Sequence, residues 1–593
     1  MKTLAAETLI TRLIDWGVDT LFGLPGDGIN GLFEALRRHQ DRIRFVLVHH
    51  EEAAAFMACA YAKTTGKLGV CIATSGPGGV HLLNGLYDAK LDHMPVLAIT
   101  GMQETSLLGT GYQQEVHLEK LYADVAEYDV MITNPQQVQT IVDLAVRTAL
   151  TQRGVSHITF PNDIQVAPAD LDPYPHVAPA RPPATAPVYL PAPDRPREED
   201  LRRLADVLNA GTKVAILAGA GSLHAREELL AVAEVLGAPI VKTLSGKAAV
   251  PDDSPYTTGG IGLLGTRPSE RLMTEIDTLF MVGTNFPYTK HLPEVGKVRT
   301  VQIEADSVRA GARMPTEVPV VGDAKDGLAA LLPLLRRQDD RSFLEDCQQD
   351  MDTWRKEMAS LQSSERHPIA PEYLISCVDR HATSDAILTC DSGTIATWAA
   401  RHWTIRDQRE FYLSGNLATM APGLPYAIAA QIAYPDRQCI AFVGDGGFAM
   451  LMAEFLTAAR HGLPVKVVIN NNGAYGQILW EQVALGYPEF GVRHRDSDEV
   501  HGFADYSAWA RSCGALGVKV TDPGDLDAAV QAALAHPGPA LVDCDVNADE
   551  PPMPGKIEYA QAKGFATAFA HGQPHKAGIV KTLVADAAEK LRS

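Results

Sequence analysis

At 593 residues the chain is too long for one core and fits about three to four domains; its 46% hydrophobic and 21% charged residues are those of a globular protein. A formal net charge of −20 excludes nucleic acid and anionic membranes as main partners, while leaving room for a small anionic substrate in a locally positive pocket. Eight cysteines without a C-x-x-C pair give neither a disulfide framework nor a zinc site, so the expected location is the cytoplasm.

In chain order, the first 17 residues carry Leu4, Ile10, Leu13 and Ile14 at helical spacing, without the unbroken apolar core of a signal peptide. No run is long enough for stable membrane insertion. Residues 1–167 alternate β-rich runs (Thr20 to Phe22, Phe45 to Val48, Val70 to Ala73, Val96 to Ile99) with amphipathic stretches, predicting an open, mainly parallel α/β sheet. Residues 168–196 are crowded with proline and read as a semi-rigid linker.

The alternation restarts over 197–336, where Val214 to Leu217 enters Gly219-Ala220-Gly221-Ser222 and Leu279 to Val282 enters Gly283-Thr284-Asn285. This is a second nucleotide-sized α/β module, although a lone G-x-G after a strand is as often only a strand-to-helix turn. A linker helix and loop (337–369) leads into a third α/β module over 370–550. The fold class is therefore α/β, with three open, mainly parallel sheets. A tail (551–593) ends in a helix with Ile579, Leu583, Val584 and Leu591 on one face, expected to pack on its parent domain.

The chemistry concentrates in the third module. The buried-strand run Cys439 to Val443 ends in Gly444-Asp445-Gly446-Gly447, a helix is expected near Phe448, and a second apolar run ends in Asn471-Asn472. Asp445, the Asn472 amide oxygen and a backbone carbonyl at Ala474 are hard oxygen ligands suited to Mg²⁺ on a diphosphate. Gly446 and Gly447 let the chain turn sharply and offer N–H groups to phosphate. Alone, GDG is an ordinary turn; paired with the Asn-Asn after a second strand, it resembles the signature of thiamine-diphosphate enzymes. Glu51, which follows a strand and opens a helix, is by itself only favourable with the helix dipole. In thiamine chemistry it is the carboxyl needed against N1′ of the aminopyrimidine.

Nearly the whole chain resembles the pyruvate oxidase and acetolactate synthase group of thiamine-diphosphate enzymes, most closely pyruvate oxidase or quinone-dependent pyruvate dehydrogenase. The matching stretches are FGLPGDGIN (22–30), HHEEAAAFMA (49–58), the run 74–101, VGTNFPY (282–288), SGNLATMAPGLPYAIAA (414–430) and GDGGFAM with NNNGAYG. The resemblance implies Glu51 as proton relay, Met420 as the prop for the bent cofactor, and His81 and Gln114 near the reacting carbon. It implies Mg²⁺ on Asp445, Asn472 and Ala474, and the diphosphate among Ser392, Gly393, Thr394, Gly446 and Gly447. It makes the middle module an FAD domain contacting the cofactor through Gly219, Gly221, Thr243, Gly283, Asn285, Asp306, Asp323 and Ala324. The implied activity is oxidative decarboxylation of pyruvate or a similar small 2-oxo acid by a homo-oligomer, a dimer of dimers, with quinone or O₂ as acceptor. The alternatives are an acetolactate synthase-like carboligase with structural FAD and a noncatalytic cofactor-binding protein. Two departures bear on the acceptor: Gln113 and Gln477 stand where family oxidases often carry aromatic residues.

Overall fold

The computed structural model describes residues 3–169, 186–189, 195–494, 504–553, 555 and 559–592. Most of the proline-rich stretch 168–196 lies outside them. Three six-stranded parallel sheets follow one another along the chain. The first holds β1 (Thr20–Gly23), β2 (Arg44–Leu47), β3 (Gly69–Ala73), β4 (Val96–Met102), β5 (Ala126–Met131) and β6 (Val155–Pro161), in the order β2-β1-β3-β4-β6-β5. The central sheet holds β7 (Val214–Ala218), β8 (Ile240–Lys242), β9 (Thr257–Gly260), β10 (Thr278–Val282), β11 (Arg299–Glu304) and β12 (Val318–Val321), ordered β12-β11-β10-β7-β8-β9. The third holds β13 (Ile387–Cys390), β14 (Glu410–Tyr412), β15 (Cys439–Gly444), β16 (Lys466–Asn471), β17 (Leu516–Val520) and β18 (Ala540–Asp545), ordered β14-β13-β15-β16-β18-β17.

Helices cover both faces, so inner strands such as β3, β7 and β10 are buried along their whole length, which is why they read as continuous apolar runs. The edge strand β12 alternates buried and exposed residues and tolerates Pro319, whose missing N–H costs nothing at an edge. The first and third sheets share one topology. The central sheet, counted from β9, runs 3-2-1-4-5-6, the dinucleotide-binding order.

The first and third domains also share a core. The helix Glu51–Thr65 is buried from Ala53 to Ala62 and packs on the helix Gly423–Ala433, itself buried from end to end except its last residue. Runs of alanine on both helices allow that close approach. Lys63 sits in this seam, bonding Asp92 at 2.7 Å, the Leu413 carbonyl at 2.9 Å and the Tyr426 hydroxyl at 2.6 Å. Burial opposes its charge, but Asp88 and Asp92 outweigh burial and hold its pKa above the ordinary value.

The tail forms helices Tyr559–Ala570 and Lys576–Arg592. Ile579 and Ala568 bury against Leu479, Trp480 and Val483, and Trp480 stacks on Phe565 at 6.2 Å. The apolar stripe is narrower than expected: Leu583 joins this cluster but Val584, about 100° further round the helix, is 63% exposed.

Candidate active site

In an open parallel sheet, ligands bind beyond the strand ends where the order reverses. In the first domain that point lies between β1 and β3. Glu51 opens its helix there and is 7% exposed. Its Oε2 lies 2.9 Å from Nδ1 of His81, which ends the short helix Pro77–His81 after β3. Gln114 arrives from a loop in a left-handed conformation (φ +63°) and accepts the Ser75 hydroxyl at 3.2 Å. Two glycines make room. A Cβ on Gly76 would lie 2.9 Å from the Gln114 Cβ, and one on Gly78 3.4 Å from Glu51 Oε1. Glu51, His81 and Gln114 therefore converge on one strand end.

His50, given no role by the sequence, belongs with them. It is the N-cap of the Glu51 helix, its Nδ1 accepting the Glu52 N–H at 3.2 Å, and its ring stacks on His81 at 4.6 Å. The only signal was its place directly before Glu51.

In the third domain the order reverses between β13 and β15. Asp445, 1% exposed, begins the helix Asp445–Leu451, three residues earlier than expected at Phe448. Gly446 and Gly447 are thus in the first helical turn rather than in a loop, and packing dictates them. A Cβ on Gly447 would fall 2.0 Å from Asp391 Oδ2, and one on Gly446 2.8 Å from the Tyr475 ring. Ser392, Gly393 and Thr394 follow β13; Gly393 has φ +120° and caps the helix Thr394–His402.

Asn472 accepts the Ala474 N–H on its Oδ1 at 3.1 Å, which leaves that oxygen a second lone pair. Gly476 lets Asn472 and Thr394 approach, since its Cβ would be 2.6 Å from Asn472 Nδ2 and 3.0 Å from Thr394 Oγ1. Ala474 bridges to Arg493 through bonds from Tyr475 to Val492 (2.8 Å) and from His494 to Gly473 (2.7 Å), neither using the Ala474 carbonyl. Asn471, by contrast, is turned inward to Asp543 at 2.8 Å.

Met420 is half-buried between Ala418 (φ +55°) and Ala421 (φ +80°), two non-glycine residues in the left-handed region, a strain of about 1–3 kcal/mol each. Surrounding bonds hold the loop in that state. Asp92 accepts the Gly415 and Asn416 N–H groups at 2.9 and 2.8 Å, and Asn84 donates to the Thr419 hydroxyl at 3.2 Å. Asp391, missed in the sequence, accepts the Gly423 N–H at 2.7 Å on Oδ1. Its Oδ2 has no hydrogen-bond partner among the described residues, and burial pushes its pKa up to about 7. Its signal was the Asp-Ser-Gly that ends a buried strand.

Known proteins match in the same three blocks. Residues 3–121 match the thiamine pyrophosphate enzyme N-terminal TPP-binding domain, 201–331 its central domain and 391–544 its C-terminal TPP-binding domain. The putative thiamine pyrophosphate-containing protein YdaP of Bacillus subtilis is 39% identical over 562 residues, 95% of each chain. The chain belongs to the thiamine pyrophosphate enzyme family. Pyruvate oxidase of Lactiplantibacillus plantarum is 34% identical over 95% of this chain and 92% of its own. The large subunit of acetolactate synthase isozyme 1 of Escherichia coli is 29% identical over 93% and 95%.

The family's central domain is the least specific part of this thiamine pyrophosphate enzyme. Its order reverses between β7 and β10, where Gly219, Gly221 and Gly283 meet. Cβ atoms there would come within 2.4, 2.9 and 2.6 Å of the facing backbone, so close packing already requires these glycines. Asp323 caps the helix Ala324–Leu331 through the Lys325 and Asp326 N–H groups, with Ala324 buried as its first residue. Asp306 accepts the Val308 N–H at 2.9 Å and pairs with Arg309 at 3.1 Å, and Thr243 accepts the Gly246 N–H at 3.1 Å. Asn285 differs: its buried Oδ1 has no hydrogen-bond partner among the described residues. A cavity of about 710 Å³ lies between this domain and the helices Ser342–Ser360 and Pro371–His381, and shares only Thr243 with the set. Its cations are internally satisfied, buried Lys242 and Lys247 on Asp252 and half-buried Arg401 on the Leu263, Leu264 and Met553 carbonyls.

No helix among the described residues is long and apolar enough to cross a membrane.

Proposed function

We propose that this thiamine-diphosphate enzyme decarboxylates pyruvate or a similar 2-oxo acid oxidatively, passing electrons through FAD to quinone or O₂, in the cytoplasm. The observation that carries the reading is the pair of strand-end clusters, an acid–imidazole–amide group in one domain and buried carboxylates beside small-residue turns in another. Thiamine diphosphate, when bound, would supply a carbon acid whose conjugate base can add to a 2-oxo group and a cationic thiazolium ring that can take up the electron pair left by CO₂. Glu51 would hold and exchange the proton at N1′ that activates this carbon, and His81, 2.9 Å from Glu51, would relay protons to and from that carboxyl. Gln114 offers an amide to the substrate, and Met420 supports the cofactor from its strained loop.

The third-domain residues fit a metal-bound diphosphate. Asp445, Asn472 and the Ala474 carbonyl are an all-oxygen set of the kind Mg²⁺ takes, with Ser392, Gly393, Thr394, Gly446 and Gly447 around the phosphates. The dinucleotide strand order and the lone Asn285 oxygen support FAD in the central domain, with Gly219, Gly221, Thr243, Gly283, Asp306, Asp323 and Ala324 lining it. A homo-oligomer, a dimer of dimers, is supported by exposed apolar side chains beside each cluster. Val80 and Tyr112 neighbour His81 and Gln114, while Met450 and Ile478 follow the metal-binding turns.

A carboligase like acetolactate synthase is the second reading. Gln477 is occupied by Glu481 at 3.0 Å and Gln113 is exposed, so neither position offers an aromatic ring toward flavin. Anaerobic mixing with pyruvate separates the two. Bleaching of the flavin with acetate formed is expected; oxidised flavin with acetolactate formed would install the carboligase.

A further inference from the structure

The strand-to-helix junction that delivers Glu51 is gripped from the third domain. Glu454, 0% exposed, opens the helix Glu454–Arg460 nine positions after Asp445. Its Oε1 accepts the backbone N–H groups of both His49 and His50 at 3.0 Å each. Its Oε2 accepts the Thr457 hydroxyl at 2.8 Å, and that hydroxyl lies 3.0 Å from His49 Nδ1. The amides just ahead of a helix are normally left to water or to a side chain reaching back from its first turn. Here the local cap, His50, is committed to Glu52, and a carboxylate more than 400 residues away takes the two amides ahead of Glu51.

Burying a carboxyl group is expensive unless it is well bonded, and here burial pushes its pKa up to about 7. An apolar residue would fill the seam without that penalty. What an apolar residue could not do is fix the direction of the His49–His50 backbone, and with it the Glu51 carboxyl and the His50 ring stacked on His81.

We propose that Glu454 is a positioning residue for proton transfer at Glu51, acting through the His49 and His50 amides to hold Glu51 and His81 at their 2.9 Å contact. This rests on the reading of Glu51 as the thiamine proton relay. It also joins the metal-binding half of one chain to the catalytic carboxyl of that same chain.

The test uses the thiamine-loaded holoprotein and follows hydrogen–deuterium exchange at C2 of the bound cofactor, with cofactor affinity measured by calorimetry. Glu454→Ala is expected to slow exchange on the order of 10²-fold while leaving affinity nearly unchanged, because the effect is a misplacement and not a lost ligand. Glu454→Gln, whose amide oxygen still accepts both N–H groups, is expected to retain most of the exchange. In a Glu51→Gln background, Glu454→Ala is expected to add no further loss. Unchanged exchange in Glu454→Ala, or an equal further loss in the Glu51→Gln background, would overturn the proposal. Absence of exchange in the unmodified protein would instead overturn the thiamine reading, and this proposal with it. Should Glu454→Ala fail to fold, Thr457→Val loosens the carboxylate while keeping it; a smaller slowing is expected, and none would count against the role.

Discussion

The switch points of the third and central domains are built alike and filled differently. Between β13 and β15 the chain buries Asp391 and Asp445, and Asp391 keeps one oxygen with no hydrogen-bond partner among the described residues. Between β7 and β10 it places glycines against backbone, and the nearby aspartates Asp306 and Asp323 are taken up by their own turns and caps. A buried carboxyl oxygen that the fold leaves without a hydrogen bond is a place where a ligand group would be accepted. A glycine with backbone 2.4 Å from its missing Cβ needs no ligand to explain it. The same strand-end logic therefore speaks for a cofactor in the third domain, and in the central domain only through Asn285.

The sharpest way to break this contrast is Asp445→Ala. Removing one oxygen ligand and one charge is expected to abolish activity and to weaken binding of thiamine diphosphate with Mg²⁺ by at least about 10²-fold. Undiminished affinity in calorimetry would remove Asp445 from the metal.

Glu51→Gln is expected to separate chemistry from binding. The amide cannot exchange the N1′ proton, so turnover should fall about 10²–10⁴-fold while cofactor affinity changes little. Near-normal turnover would leave the first-domain cluster without a catalytic carboxyl.

What could be read in advance follows from the same contrast. Asp445 and Asn472 were visible because their residue types recur at strand ends, and Glu51 because it opens a helix after a strand. Asp391, His50 and Glu454 were not, because each acquires its role from a partner that is distant in the chain and brought close only by the fold: Gly423 for Asp391, the His81 ring for His50, the His49 and His50 amides for Glu454. Alternating strands and helices predicted three parallel sheets. They carry no information about which strand lies beside which, so the difference between the central order and the other two appears only in the folded chain.

In the central domain the contrast becomes a pair of substitutions. Gly283→Ala places a Cβ 2.6 Å from backbone at φ +55° and is expected to lower stability by about 1–3 kcal/mol whether or not flavin is bound. Asn285→Ala removes the unpartnered oxygen and is expected to lower flavin content without lowering the melting temperature of the flavin-free protein. If Gly283→Ala melts normally and loses only flavin, that glycine is a cofactor contact and the central switch point is not explained by backbone packing alone.

The smallest expected effect tests whether burial keeps the Asp391 carboxyl protonated in the third-domain site. Asp391 has its pKa pushed up to about 7 by burial, against about 3.9 in an unfolded chain. Between those two values the folded protein keeps a proton that the unfolded chain has lost, so this group makes stability fall as pH rises, with no further change above about 7. Glu372 and Glu454, also near 7, act in the same direction, whereas His402 and His93, pushed down to about 3 and 4 by burial, act in the opposite one, so the Asp391 contribution is read as the difference between the unmodified protein and a variant that cannot ionise there. Asp391→Asn keeps an acceptor for the Gly423 N–H but cannot ionise. It should flatten the slope by up to about 1.4 kcal/mol per pH unit, measured by denaturant unfolding at pH 5, 6 and 7. An unchanged slope would mean that Asp391 is already ionised in the fold, and that its second oxygen finds compensation without a ligand. The third-domain switch point would then be as self-sufficient as the central one.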